Sequence, residues 1–184
     1  VDEEDRLEIN WRYFSLEQAN NKEGPDWNIW DQPSDYPSRG FLALRAGEAA
    51  RLQGETAFNN FHLALLKARH EDRQKIAETE VLVTVAASVG LDVERFEQDL
   101  KNESLVEKIK QDHIEAVEQY GIFGTPTFVF PDGTSAFLKL LKPPEHDAPR
   151  LVEVLSEVME KWSYIGEIKR PQPPWPKGVY DSHS

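Results

Sequence analysis

Gly121-Ile122-Phe123-Gly124-Thr125-Pro126-Thr127-Phe128-Val129-Phe130, followed by Pro131-Asp132-Gly133-Thr134, decides how the rest of this chain is read. A stretch rich in Glu, Gln and Lys with helical spacing stops at Tyr120-Gly121, where glycine suits the left-handed position after a helix end. An apolar run with aromatics begins at Thr127, so a helix ends, the chain turns and a strand starts. Thr125-Pro126 sits in the turn. Proline fixes its own backbone, restricts its predecessor and removes an amide donor. Such a residue is poorly suited to a central ladder and well suited to a fixed kink, for which a cis peptide bond is one route.

Downstream, Thr127 to Phe130 and Ala136 to Leu141 read as two strands joined by Pro-Asp-Gly-Thr, a turn signal between apolar runs. Pro143-Pro144 ends this hairpin. Asp147 caps a last helix whose apolar face is Leu151, Val152, Val154, Leu155, Val158, Met159 and Trp162. Beyond Tyr164 the composition turns to Lys-Arg-Pro-Gln-Pro-Pro-Trp-Pro-Lys-Gly, an extended polyproline-like tail.

Upstream, Leu7-Glu8-Ile9-Asn10-Trp11-Arg12-Tyr13 alternates apolar and polar residues with period two, which predicts a strand with one face on a core. Asn20 to Pro37 reads as a long loop carrying Trp27, Trp30 and Tyr36. From Ser38 the spacing becomes helical. Helices are expected from Ser38 to Gly54, Glu55 to His70, Glu71 to Ser88, Asp92 (as N-cap) to Leu100, and Ser104 to Tyr120, the last opened by a Ser104/Glu107 capping box. No block of fixed period recurs, so a solenoid is excluded.

With 184 residues, 39% of them hydrophobic, including five Trp and nine Phe, the chain has material for a real core. Its longest apolar runs fall far short of a bilayer span, which predicts a soluble protein without a membrane partner. A net charge of −12, from 33 acidic against 21 basic side chains, repels phosphate backbones and argues against nucleic acid. The absence of cysteine means that these residues form no disulfide, no Cys zinc site and no thiol nucleophile. The compartment stays open, with the cytoplasm slightly favoured.

The element order is strand, five helices, kinked Gly-Thr-Pro-Thr loop, hairpin and terminal helix. Gly121-Ile122-Phe123-Gly124-Thr125-Pro126-Thr127-Phe128-Val129 resembles the cis-proline loop of the DsbA-like branch of the thioredoxin superfamily. That branch includes glutathione-dependent isomerases such as 2-hydroxychromene-2-carboxylate isomerase. Trp11-Arg12-Tyr13-Phe14-Ser15-Leu16 is similar to the exit of that family's second strand. The resemblance runs from about Leu7 to Trp162 and implies an α/β fold, a thioredoxin-like sheet with a helical insertion. Residues 1–16 and 121–162 would form the thioredoxin-like part, 38–120 the insertion and 163–184 the Pro-rich tail.

The family opens with a strand and a Cys-x-x-Cys helix ahead of the strand that Leu7 to Tyr13 resembles. A strand-helix pair needs about thirty residues, so this reading expects the opening unit to lie outside the sequence. The resemblance implies a thiol-disulfide oxidoreductase whose catalytic residues are unknown here. A cysteine at a helix N-terminus would act as thiolate. Thr125 and Pro126 would bind substrate, the Thr125 backbone pairing with an extended protein chain by strand addition, or with a small thiol or disulfide. No cofactor is expected on this reading.

Two alternatives stand beside it. One is a glutathione-dependent isomerase or transferase of the same fold, with glutathione as cofactor and a serine in place of the first cysteine. The other is a redox-inactive module that holds a peptide or partner chain, which the Cys-free sequence supports directly.

Other candidates are weaker. His62, His70, His113, His146 and His183 show no His-x-x-x-His or His-Glu-x-x-His spacing, so no metal site is expected. His62 on an apolar helix face reads as a core or groove residue, and His113 as a solvated one. Glu115 and Glu118 read as surface carboxylates. Trp27, Trp30, Phe41, Phe58 and Phe61 read as core before they read as a groove. Trp175 docks on the chain or meets a partner.

Overall fold

The computed structural model describes residues 8–33, 36–140 and 142–168. They divide into two compact units, residues 8–116 and 117–168, with the boundary inside one helix. Seven α-helices and one two-stranded sheet make up the regular structure among the described residues.

In the first unit a short α1 (Leu16–Ala19) and a 3-10 turn (Ile29–Asp31) precede α2 (Phe41–Arg51), α3 (Glu55–His70), α4 (Thr79–Ser88), α5 (Val93–Leu100) and α6 (Leu105–Tyr120). α2 packs against α3, α4 and α5. Its buried face is built from Ala43, Ala46, Ala49 and Ala50, whose small side chains let Phe61, Leu82, Val85, Phe96 and Leu100 close around the helix. Phe58, Phe61 and Phe96 are almost wholly buried. Each is worth about 1.5–3 kcal/mol of hydrophobic stabilisation. A second cluster of Tyr13, Ile29, Phe41, Phe58 and Ile109, with Trp27, Trp30 and Tyr36 against it, brings the long loop onto the helices.

The caps follow local chemistry in part. Asp92 accepts the Arg95 N–H on its carboxylate and starts α5. The expected capping box at Ser104 does not form. The Ser104 amide donates to Asn102 Oδ1 at 3.0 Å, and the Glu107 carboxylate accepts from Gln111 Nε2 at 3.0 Å. The helix expected from Glu71 begins only at Thr79. Before it, Asp72 and Gln74 donate back to Lys67 and Ala68, and Arg73 takes a left-handed φ of 58° that interrupts helical continuation.

The strand expected from Leu7 to Tyr13 is not formed over its described residues: 8–15 have no regular secondary structure. Alternation alone makes no strand without a neighbour to complete the ladder. The sheet among the described residues consists of the later hairpin only. The Tyr13 and Ser15 amides are satisfied by side chains instead.

The second unit carries β1 (Thr127–Val129), β2 (Ser135–Phe137), a 3-10 turn (Glu145–Asp147) and α7 (Ala148–Lys161). β1 and β2 pair antiparallel in the register Thr127↔Phe137, Phe128↔Ala136 and Val129↔Ser135. Gly133 supplies the positive φ of 86° that the turn requires. Asp147 occupies the N-cap of α7 without a side-chain hydrogen bond, and Pro149 lies in the first turn. The strands are shorter than expected, and Leu141 lies outside the described residues, as do Trp175, His183 and the tail from 169.

Candidate functional site

The Thr125-Pro126 loop is held at both ends. Gly121 caps α6 with a left-handed φ of 62° and donates to Val117 O at 3.1 Å. Thr127 Oγ1 donates to Gly124 O at 2.7 Å, closing the loop on itself. Gly124 is buried against Phe137: a Cβ there would stand 3.2 Å from the ring. The Thr125-Pro126 peptide bond is cis. Thr125 and Pro126 are both exposed.

Ladder geometry defines what this loop presents. Leu138 N–H donates to Pro126 O at 3.1 Å, and Phe130 N–H to Thr134 O at 2.8 Å. By antiparallel alternation, positions 126, 128 and 130 face β2, and the amides and carbonyls of Thr127 and Val129 face the other edge. No second strand covers that edge among the described residues, and no backbone hydrogen bond engages Thr125 there. The result is an open strand edge beginning at the loop. Phe123 lies beside it, 71% exposed and in ring contact with Phe137.

The first unit contains a second constellation, where α6 clasps the segment before α1. Asp112 and His113 are both buried. Asp112 Oδ2 accepts the Tyr13 N–H, and His113 Nδ1 accepts the Ser15 N–H, each at 3.1 Å. Asp112 Oδ1 also meets Lys108 Nζ at 2.6 Å and Arg12 Nε at 3.0 Å, while Arg12 Nη2 pairs with Glu115. The expectation of a solvated His113 is therefore corrected. Glu115 is a partner of Arg12, and neither contact is visible in helical charge spacing because the partner is about a hundred residues away in sequence. Burial pushes the His113 pKa below the usual histidine value.

A third group is a column of flat side chains. Arg51 Cζ lies 3.5 Å from the Phe58 ring centroid, Phe58 stacks on His62 at 5.5 Å, and His62 meets Trp11 at 4.3 Å. Arg51 is also held by both carboxylate oxygens of Glu55, at 2.8 and 2.6 Å. The Tyr13 hydroxyl is buried beside Glu48 and Arg51 without a hydrogen bond of good geometry to either. Burial and the Glu48 charge push its pKa far up. Burial, then the Arg51 charge, push the His62 pKa down. No three His, Asp or Glu side chains group to hold a metal among the described residues.

A thioredoxin family profile matches residues 9–140, well over half of the chain. The chain belongs to the thioredoxin family. Within that family it forms a thioredoxin-like domain that is mostly helical, with a small two-stranded sheet. The chain is 32% identical over 108 residues to the ClpXP adapter protein SpxH of Bacillus subtilis (strain 168), covering 57% of this chain and 35% of SpxH. It is 26% identical over 170 residues to the uncharacterized protein Rv2286c of Mycobacterium tuberculosis, covering 91% of this chain and 71% of that protein. It is also 39% identical over 90 residues to part of the Na(+)/H(+) antiporter NhaA of Herminiimonas arsenicoxydans, covering 48% of this chain and 13% of the antiporter. This thioredoxin-family chain thus spans about a third of SpxH. No helix among its described residues is long and apolar enough to cross a membrane.

Proposed function

We propose that this chain is the substrate-holding part of a DsbA-like thiol-disulfide oxidoreductase, and that the thiol it works with comes from residues outside this sequence. The observation that carries the reading is the open edge of β1, with outward backbone groups at Thr127 and Val129, directly after the exposed Thr125-Pro126 loop. An extended peptide pairs with such an edge through its own main chain, a mode indifferent to sequence and suited to presenting a disulfide. The chain holds no cysteine, so its own chemistry ends with binding and orientation. In this proposal residues 1–16 and 121–162 belong to the thioredoxin-like part and 38–120 form a DsbA-like helical insertion.

A second reading is favoured by a specific observation: several relatives are named as ClpXP adapter proteins. Here the same edge holds a partner segment and no thiol step follows.

The test has two arms. The 15N-labelled chain is titrated with an extended peptide whose cysteine is blocked, and the amides of Thr125, Thr127 and Val129 are expected to shift. A natural protein that includes this chain is then assayed for peptide disulfide exchange, with its intact mass read before and after alkylation. Exchange with an alkylatable cysteine supports the oxidoreductase. Peptide binding without exchange supports the adapter-like module. Absence of shifts at those amides sinks both.

A further inference from the structure

His113 stands on α6 with its ring between Phe14, at 4.7 Å, and Trp30, at 5.5 Å, and is 5% exposed. Its Nδ1 accepts the Ser15 N–H at 3.1 Å. A ring nitrogen accepts only while it carries no proton. Ser15 then starts α1, its Oγ accepting the Gln18 N–H at 3.1 Å. One residue back along α6, Asp112 clasps the Tyr13 amide. Alternate amides of one segment are thus held by consecutive side chains of one helix, one a carboxylate and the other an imidazole.

We propose that the Ser15-His113 contact is an acid-sensitive latch: closed while Nδ1 is free, it releases Phe14, Ser15 and the start of α1 from α6 when Nδ1 takes a proton. Protonation removes the only acceptor the Ser15 amide has among the described residues and sets two N–H donors face to face. It also places a charge among aromatic rings in a site with little water to solvate it.

The charged groups on the packed elements do not rescue the imidazolium. Arg12 lies on the clasped segment, Glu17 on α1, Asp31 beside Trp30, and Lys108, Asp112 and Glu115 on α6. Glu17 is committed to Ser38 and Arg39, Asp31 to Asn28, Glu115 to Arg12, and Asp112 to Tyr13, Arg12 and Lys108. No ion pair to His113 forms among the described residues. Burial lowers its pKa from 6.5, so the latch stays shut through neutral pH and opens only below the usual histidine range.

The experiment follows hydrogen exchange of the Ser15 amide, corrected for its intrinsic rate, from pH 8 to pH 4.5, alongside the His113 ring resonances and the far-ultraviolet circular dichroism. The expected result is a loss of protection of about tenfold per pH unit as pH falls below 6.5 toward the point where His113 takes its proton, with helix content unchanged. His113→Asn offers an amide oxygen near the position of Nδ1 without titrating, and is expected to keep Ser15 protected at pH 5. His113→Phe is expected to lose protection at every pH. If that variant fails to fold, the wild type and His113→Asn still decide. Constant Ser15 protection through the His113 titration overturns the latch, as does acid loss of protection in His113→Asn. So does a His113 that stays neutral down to pH 4.5.

Discussion

Asp112 Oδ2 accepts the Tyr13 N–H at 3.1 Å while Asp112 itself is only 2% exposed. A buried carboxylate stands where a neighbouring strand would otherwise supply a carbonyl, and it draws Arg12 and Lys108 over itself. Both cations are nearly half exposed, so their share is small; the amide bond to a charged acceptor carries the effect. Asp112→Ala is expected to lower unfolding free energy by about 2–4 kcal/mol, because a buried amide loses its partner. Asp112→Asn keeps an oxygen for Tyr13 and is expected to lose less. Urea denaturation of the two variants checks the order, and equal losses would show that the charge, not the amide, is what matters.

Tyr13 poses the opposite case. Its hydroxyl is buried beside Glu48 without a well-formed hydrogen bond, so removing it removes a desolvation cost. Tyr13→Phe is expected to be within about 1 kcal/mol of wild type, or more stable. The sign for alkaline pH follows from the raised pKa. The folded state keeps the proton, the unfolded state loses it near 10, and stability drops as pH rises above 10. Denaturation midpoints at pH 8 and pH 10.5 are expected to differ less in Tyr13→Phe than in wild type.

His62 contributes to the acid limb by the same reasoning. Its folded pKa is pushed below 6.5 by burial and by Arg51, so between the two values the unfolded chain binds more protons. Its contribution is complete above pH 6.5 and falls as pH decreases. His62→Phe preserves the contacts with Trp11 and Phe58 and removes the titration. Urea midpoints at pH 7.5 and pH 5.5 are expected to lie closer together in this variant; an unchanged gap would place the acid sensitivity elsewhere.

How much of this was legible in the sequence depended on the range of the interactions. α3 and α5 were readable because their signals are local: an apolar stripe from Glu55 to His70, and an Asp92 carboxylate that reaches the amide three residues on. The Gly121 helix stop and the Pro-Asp-Gly-Thr turn were readable for the same reason. The strand at Leu7 to Tyr13 failed because its pattern says which face is apolar and nothing about what completes the ladder. Asp112 and His113 were missed because their partners are 99 and 98 residues away. On a helix with this many charges, a buried pair leaves no periodic mark. Thr125 and Pro126 were found by motif, while the outward edge at Thr127 and Val129 follows only from the register with β2.

The register also makes the binding proposal separable from stability. Position 128 of β1 and the flanking positions 126 and 130 face the second arm of the hairpin, so the Val129 amide points to the open edge. Proline is tolerated where the lost donor faces away from the ladder, and Phe128 before it already has the extended backbone that proline demands. Val129→Pro is therefore expected to keep the cross-strand contacts between Phe128 and Ala136 and to lose the peptide-induced amide shifts. Ala136→Pro is the control: its amide lies in a bonded pair of the ladder, so the hairpin itself is expected to open. Nuclear Overhauser contacts across the hairpin and a peptide titration read the two effects independently. Undiminished binding by Val129→Pro would remove the β1 edge as the docking surface and with it the peptide-holding role assigned to the loop.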